Sequence, residues 1–162
     1  MNKPEITKDD IEIRVIYIKF KGTYVEYRKN SRKLFNELFK FATKNNLVLE
    51  GVTKVLTIYH DNPFITDEKN LRTSVAMTIP KDSIIQEEGQ ICSMLISGKY
   101  GVLHYELSLR EYDKAWKYAY NDWLFKSKEE KPRDSFPFEL YVNEPPKNLK
   151  DKSLTDIYIP IE

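Results

Sequence analysis

The chain has 162 residues, of which 41% are hydrophobic and 31% are charged, a composition typical of a soluble globular protein of one ordinary domain. The 26 Lys and Arg residues almost cancel the 25 Asp and Glu residues, and the net charge of +1 argues against direct nucleic-acid binding. No apolar run approaches the roughly 20 residues needed to cross a bilayer, so we expect no membrane association.

A few residues set the expectations for compartment and cofactors. The start of the chain is polar and lacks the apolar core of a signal peptide, and the single Cys92 cannot form an internal disulfide, so we expect a cytoplasmic protein. We also expect a monomer or weak dimer. The two histidines, His60 and His104, show no metal-ligand spacing, so we expect no metal and no cofactor. His60 is expected at the surface or in a loop. A nucleophilic Cys92–His104 pair is disfavoured because Cys92 lies in an apolar strand, where a thiol is usually inert.

The first half of the chain predicts a strand, a helix and two further strands. Residues 12–21 are rich in β-branched and aromatic side chains, which predicts a strand that Gly22 and Thr23 end. Apolar residues then recur at helical spacing from about Arg28 until a stop near Asn45. Strands are predicted over 54–60 and 72–79, each followed by a proline that ends it.

The second half repeats this order. Residues 91–96 and 100–105 predict a strand with an internal break, and Ser108 with Glu111 matches a capping box that would begin a helix running through Leu124. Strands are predicted over 136–142 and 155–161. Residues 144–152 form a polar loop that we expect to order over a pocket mouth.

This order predicts an α+β domain of residues 1–162, built from two tandem strand–helix–strand–strand modules, about 10–81 and about 89–162. Each module leaves a sheet face and a helix stripe that a sister module would cover. We therefore expect pseudo-two-fold symmetry around a central ligand groove.

One short pattern occurs twice in the chain. Leu56–Pro63 and Phe138–Pro145 both read apolar-x-apolar-Tyr-x-(Asp/Asn)-x-Pro, and the second copy starts 82 positions after the first. The position two residues before the tyrosine is Thr57 in the first copy and Glu139 in the second. A structural repeat does not require that carboxylate, so Glu139 is the first candidate for a functional residue.

Six segments in order carry a family resemblance: 59–63, 71–80, 96–100, 122–124, 138–141 and 156–160, the last reading Asp-Ile-Tyr-Ile-Pro. Together they resemble the GyrI-like small-molecule-binding family. That family includes DNA gyrase inhibitory proteins and the effector-binding domains attached to some AraC-type and MerR-type transcription regulators. The similarity covers nearly the whole chain.

The resemblance implies two modules around a ligand groove, with Glu139 at the position of the family's acidic pocket residue. In multidrug-sensing members this residue faces bulky aromatic or cationic ligands, and other members hydrolyse reactive electrophiles with acidic and tyrosine residues. The chain shows no helix-turn-helix, so the resemblance implies a stand-alone domain.

Strand alternation places Glu139 and Tyr141 on one sheet face, with Phe138 and Leu140 on the other. Two interpretations remain open from periodicity alone. Glu139 lies either on the solvent side of an amphipathic strand, or on a covered face, where a carboxylate needs a cation, a hydrogen-bond donor or a proton.

Aromatic residues supply the other ligand-binding candidates. Tyr112, Trp116, Tyr120 and Trp123 recur on one helix face, and core packing accounts for most of them, while buried Trp N–H and Tyr O–H groups need partners. We expect Trp123 and Tyr120 to line the pocket with Glu139 and Tyr141. Tyr24 and Tyr100, which follow glycines in the two modules, are paired groove residues or core.

Three functions follow as hypotheses. The first is a small-molecule-binding protein for an aromatic or amphipathic, cationic ligand, acting in sequestration or sensing. The second is a DNA gyrase inhibitor that acts by protein contact. The third is a hydrolase of reactive electrophiles in which Glu139 is the general base and a tyrosine the acid.

Overall fold

The computed structural model describes residues 1–144 and 148–162, and these fall into two compact units. The first unit is Glu12–Ser97, and the second unit is Met1–Ile11 together with Gly98–Glu162. The chain passes from one unit to the other within two long strands. The predicted module boundary, between 81 and 89, differs from this division because residues 89–97 belong to the first unit.

The elements follow the predicted order of strand, helix, strand and strand, twice. They are β1 (Glu5–Lys21), α1 (Tyr24–Lys44), β2 (Val55–Tyr59), β3 (Arg72–Ile79), β4 (Ile91–Leu107), α2 (Tyr112–Lys117), β5 (Phe138–Tyr141) and β6 (Ser153–Pro160). A short 3₁₀ turn lies at Glu68–Asn70, and a π-helical segment, Tyr118–Leu124, directly follows α2. The predicted α+β class is confirmed.

The first unit is a three-stranded antiparallel sheet covered by α1. β3 lies in the middle, paired with β1 on one side and with β2 on the other. Val75 is opposite both Ile18 and Thr57 in these registers. The core between this face and α1 consists of Ile16, Ile18, Leu38, Phe41, Ala42, Leu47, Val75, Met77, Ile79 and Ile91.

The second unit has the same arrangement, with β6 in the middle and β4 and β5 on its two sides. Ile157 is opposite both Leu103 and Glu139. Its core consists of Leu103, Tyr105, Leu107, Ala115, Ala119, Leu124, Ile157, Ile159 and Ile161, with Trp116, Tyr120 and Trp123 packed against it. The helical residues therefore cover the sheet face that carries Ile157.

Helix α1 begins earlier than its apolar spacing predicted because a capping box fixes its first turn. The Thr23 hydroxyl accepts the Glu26 N–H, and the Glu26 carboxylate accepts the Thr23 N–H, both at 3.1 Å. The helix ends at Lys44, and Asn46 adopts a left-handed conformation with φ 56°, as the predicted stop requires.

The capping box predicted at Ser108 forms only in part. The Glu111 carboxylate accepts the Ser108 N–H at 3.0 Å, but Glu111 is itself the N-cap residue of α2 and makes no side-chain cap bond. The helical chain runs through Leu124 as predicted, but after Lys117 it is π-helical, and the Phe125 N–H donates to the Tyr120 carbonyl five residues back at 2.9 Å.

Two strands are longer than predicted. β1 begins at Glu5 rather than near residue 12, and β4 is continuous across the predicted break. Gly98 in β4 has φ +112°, a conformation that L side chains rarely adopt, and a Cβ atom there would meet the Arg133 guanidinium at 2.7 Å. The glycine therefore relieves strain within the strand without ending it.

His60 directly follows β2 and is half-buried. Its Nε2 lies 2.6 Å from the Ser74 hydroxyl, and its ring packs on Tyr17. Burial, together with the nearby charges of Lys19 and Arg72, lowers the pKa of His60 to about 4, although the charge of Asp61 opposes the shift. Its ring is therefore neutral at pH 7.

Among residues 1–144 and 148–162, no helix has the length and apolar character to cross a membrane.

Candidate functional site

Glu139 lies on the covered face of the second unit's sheet. It is opposite Ile157 on β6, which is opposite Leu103 on β4, and residues in register share a face. Only 4% of its surface is exposed. The solvent-facing interpretation of Glu139 is therefore wrong.

Both carboxylate oxygens of Glu139 accept hydrogen bonds from aromatic side chains. The Trp116 indole N–H donates to Oε1 at 2.6 Å, and the Tyr141 hydroxyl donates to Oε2 at 2.7 Å. Hydrogen bonds to an ionised acceptor are short and strong. These two bonds therefore fix the orientation of the carboxylate.

Two further rings complete what we call the Glu139 cluster: Glu139, Tyr141, Trp116, Tyr120 and Tyr112. Tyr120 stacks on Trp116 with ring centroids 6.2 Å apart and planes 21° apart. The Tyr112 and Thr155 hydroxyls are hydrogen-bonded at 2.7 Å. Burial raises the pKa of Tyr112; the bond to Thr155 opposes this rise, and the charge of Glu139 adds to it. The Tyr112 hydroxyl therefore stays protonated near the carboxylate.

The structure brings together three of the six predicted ligand-binding residues: Glu139, Tyr141 and Tyr120. Trp123 lies one turn further along the π-helical segment, where its ring sits on the backbone of Gly101. Trp116, which the sequence assigned to general core packing, is the residue that bonds Glu139. The sequence feature that could have identified Trp116 is its position four residues before Tyr120, on the same aromatic helix face.

Tyr100 is not part of this cluster. It is opposite Pro160 on β6, on the face that carries Phe138 and Tyr158, and it is fully buried there. Its hydroxyl donates to the Phe136 carbonyl at 2.9 Å, and its ring lies 5.4 Å from that of Phe138. Burial raises the pKa of Tyr100. Of the two interpretations for Tyr100, this geometry favours core.

Tyr24 lies in the first unit, where it is the first residue of α1. Its ring meets that of Tyr59 edge-on, with centroids 5.7 Å apart. Its counterpart in the second unit is Tyr112, the first residue of α2.

The two copies of the short pattern occupy corresponding positions in the two sheets. Thr57 and Tyr59 are opposite Val75 and Thr73, and Glu139 and Tyr141 are opposite Ile157 and Thr155, each residue 82 positions after its counterpart. Thr57 is also buried, at 7% exposure. The carboxylate thus replaces a small hydroxyl in an equivalent covered position.

The hydroxyls next to these positions differ between the units. In the second unit Thr155 bonds Tyr112. In the first unit Tyr24 turns its ring toward Tyr59, and the fully buried Thr73 hydroxyl has no hydrogen-bond partner within the described residues. The bond that Thr155 makes to Tyr112 therefore has no equivalent at the Thr73 hydroxyl.

Within the described residues, no three His, Cys, Asp or Glu side chains converge as metal ligands. Pro145, which ends the second copy of the pattern, lies outside those residues. The same holds for residues 146–147 of the loop expected to order over a pocket mouth.

The second unit thus holds a buried carboxylate among aromatic rings within a mixed α and β fold. The family model for the GyrI-like small molecule binding domain matches residues 2–162. The chain belongs to the GyrI-like family, and the resemblance drawn from the sequence is confirmed.

Several known proteins are similar to this chain in sequence or in fold. DNA gyrase inhibitor 2 from Dickeya dadantii (strain 3937) is 33% identical over 92 residues, which are 56% of this chain and 57% of that protein. The crystal structure of the EcmrR C-terminal domain matches with a TM-score of 0.76 at 19% identity, over 98% of both chains. The chain spans 57% of the EcmrR chain in its DNA complex. The structure of SAV2435 bound to tetraphenylphosphonium matches with a TM-score of 0.61 at 11% identity, over 98% of this chain and 94% of that one.

Proposed function

We propose that this protein binds a small aromatic or amphipathic cation at the Glu139 cluster, for sequestration or sensing. The observation that carries the proposal is the carboxylate of Glu139, which is 4% exposed and held through both oxygens by Trp116 and Tyr141. A carboxylate fixed in this way needs no reorganisation to receive a charged group.

The neighbouring rings suit the same class of ligand. Trp116 and Tyr120 form a stacked pair beside the carboxylate. An aromatic face attracts a cation through its quadrupole, and it also offers stacking area to an aromatic ligand. A lipophilic cation uses both the charge and the rings, whereas a neutral aromatic compound uses only the rings.

A structural relative supports this ligand class. SAV2435 has the same fold and was solved with tetraphenylphosphonium, a cation that carries four phenyl groups. The compound is therefore a suitable first probe for this chain.

Replacing Glu139 by Gln is expected to weaken the binding of tetraphenylphosphonium by about 1–3 kcal/mol, which is the scale of an interaction with a charged group. This corresponds to an increase in Kd of about 5- to 150-fold. Binding is measured by calorimetry and by quenching of Trp fluorescence, since Trp116 contacts the carboxylate. Triphenylphosphine oxide serves as a neutral aromatic probe, and its affinity is expected to change little.

Glu106→Gln is the matched control. Glu106 is an exposed glutamate of the same unit, opposite Leu154 and on the other sheet face. This variant removes the same formal charge without altering the cluster and should bind tetraphenylphosphonium like the native chain. Equal affinities of the native chain and Glu139→Gln would contradict the proposal.

The relationship to DNA gyrase inhibitor 2 favours inhibition of DNA gyrase as a second function. The net charge of +1 indicates contact with the enzyme rather than with DNA. We expect the purified chain to slow ATP-dependent supercoiling by gyrase and to co-elute with a gyrase subunit. If Glu139→Gln still inhibits gyrase, the inhibition comes from a surface other than the Glu139 cluster. No inhibition at large molar excess over gyrase would exclude this function.

A hydrolytic role for Glu139, a cytoplasmic location and a monomeric or weakly dimeric state remain predictions from the sequence. Hydrolysis would use Glu139 as the general base and a tyrosine as the acid, and Tyr141 is a tyrosine hydrogen-bonded to Glu139.

A further inference from the structure

Three side chains on the other face of the second unit's sheet form a continuous hydrogen-bonded chain. His104 on β4 is directly opposite Asp156 on β6, and its Nδ1 lies 2.8 Å from the Asp156 Oδ1. Its Nε2 lies 2.9 Å from the Thr7 hydroxyl on β1. Both distances fall within the reach of about 2.6–3.2 Å that defines a nucleophile, its base and the group that orients the base.

The chemistry of the three groups determines which atom donates and which accepts in each hydrogen bond. An ionised Asp156 only accepts hydrogen bonds, so Nδ1 of His104 must be the donor to it. In a neutral imidazole the other nitrogen then carries the lone pair, and Nε2 accepts the Thr7 O–H. The tautomer that satisfies Asp156 is therefore the one that removes a proton from Thr7.

Small molecules can reach this chain of groups. The side chains of His104 and Asp156 are 37% and 16% exposed. Both line an open depression of about 410 Å³ together with Glu5, Tyr105, Glu106, Val142 and Leu154. The Glu139 cluster lies on the opposite sheet face and shares none of these residues.

We propose that Thr7, His104 and Asp156 form a nucleophilic triad that is acylated by activated esters. Thr7 Oγ1 attacks the ester carbonyl carbon while its proton passes to His104 Nε2, and Asp156 stabilises the imidazolium that forms. The C–O bond to the leaving group breaks, and a phenolate departs with the electron pair without needing a proton. The products are an acyl-Thr7 ester and the phenolate.

Water completes the cycle. After the imidazolium has released its proton to solvent, His104 removes a proton from a water molecule that attacks the acyl-Thr7 carbonyl. The C–O bond to Thr7 breaks, and Thr7 recovers its proton from His104. The net reaction is ester hydrolysis, with a carboxylic acid and a phenol as products after proton exchange with the solvent.

The lining of the depression selects among esters. Glu5 and Glu106 add two carboxylates to that of Asp156, and like charges disfavour an anionic substrate at close range. The substrate class is therefore a neutral or cationic activated acyl ester.

The test uses 4-nitrophenyl acetate with the full chain, and peptide mass spectrometry locates the acetyl group. We expect acetylation of Thr7, and a drop in that acetylation of about 100-fold or more in His104→Gln, the scale of general base catalysis. Thr7→Ser keeps the hydroxyl and should retain the acetylated site, whereas Thr7→Val keeps the β-branched shape of the side chain and should lose it. Circular dichroism melting checks that each variant folds.

Glu139→Gln separates this proposal from the proposed function, because its Thr7 acetylation should equal that of the native chain. In turn, Thr7→Val should bind tetraphenylphosphonium like the native chain. Release of 4-nitrophenolate by the folded native chain no faster than by Thr7→Val, with no acetyl-Thr7 detected, would overturn the triad, and so would equal rates of release by the native and His104→Gln chains. Thr7, His104 and Asp156 would then be hydrogen-bonded to one another without any nucleophilic role.

Discussion

Replacing Phe138 by Ala is expected to lower the free energy of unfolding by about 3–5 kcal/mol, the usual cost of removing a buried phenyl ring. Phe138 is fully buried. Its ring stacks on Tyr158 with centroids 4.5 Å apart and planes 11° apart, and it also contacts Tyr100. Because domains are stable by only about 5–15 kcal/mol, this loss is a large share of the total.

Urea unfolding followed by circular dichroism measures this change. Phe125→Ala is the matched control, since Phe125 belongs to the same unit and is 64% exposed. We expect it to alter the free energy of unfolding by no more than about 0.5 kcal/mol. Similar losses for the two phenylalanines would show that the stacked rings around Phe138 contribute little.

Replacing Gly101 by Ala is expected to destabilise the protein by about 1–3 kcal/mol, as overpacking of a filled site does. A Cβ atom on Gly101 would overlap Cη2 of Trp123 and lie 2.7 Å from its Cζ3. The indole must therefore move, and it belongs to the π-helical segment that also carries Tyr120. Under the proposed function, the affinity for tetraphenylphosphonium falls together with the stability.

A double-mutant cycle isolates the contact between these two residues. Trp123→Phe removes the larger ring, so Gly101→Ala should cost less in the Trp123→Phe background than in the native chain. Urea unfolding of the four proteins gives the coupling. Strictly additive losses would mean that the indole does not limit the space above Gly101.

Several features of the site were readable from the sequence because they depend on neighbours along the chain. Side chains alternate along a strand, so the position of Glu139 relative to Tyr141 and Phe138 followed from residue order alone. The repeated pattern likewise identified Thr57 as the counterpart of Glu139.

Other features depended on contacts that residue order does not encode. The Trp116–Glu139 bond joins residues 23 positions apart, and the Thr7–His104 bond joins residues 97 positions apart. The predicted continuous helix gave no reason to prefer Trp116 over Trp123. In the structure Trp116 bonds Glu139 because it lies in α2, which ends at Lys117, whereas the ring of Trp123 packs against Gly101.

By itself the sequence determined the α+β class, the order of the elements, the GyrI-like family and the face of β5 that carries Glu139, because local periodicity and spaced motifs report on local structure. Only the tertiary structure decided that this face is covered, that Trp116 and Tyr141 hold the carboxylate, and that Tyr100 lies on the opposite face. Burial and hydrogen-bond partners are properties of strand register and helix packing, and both join residues that are distant in the chain.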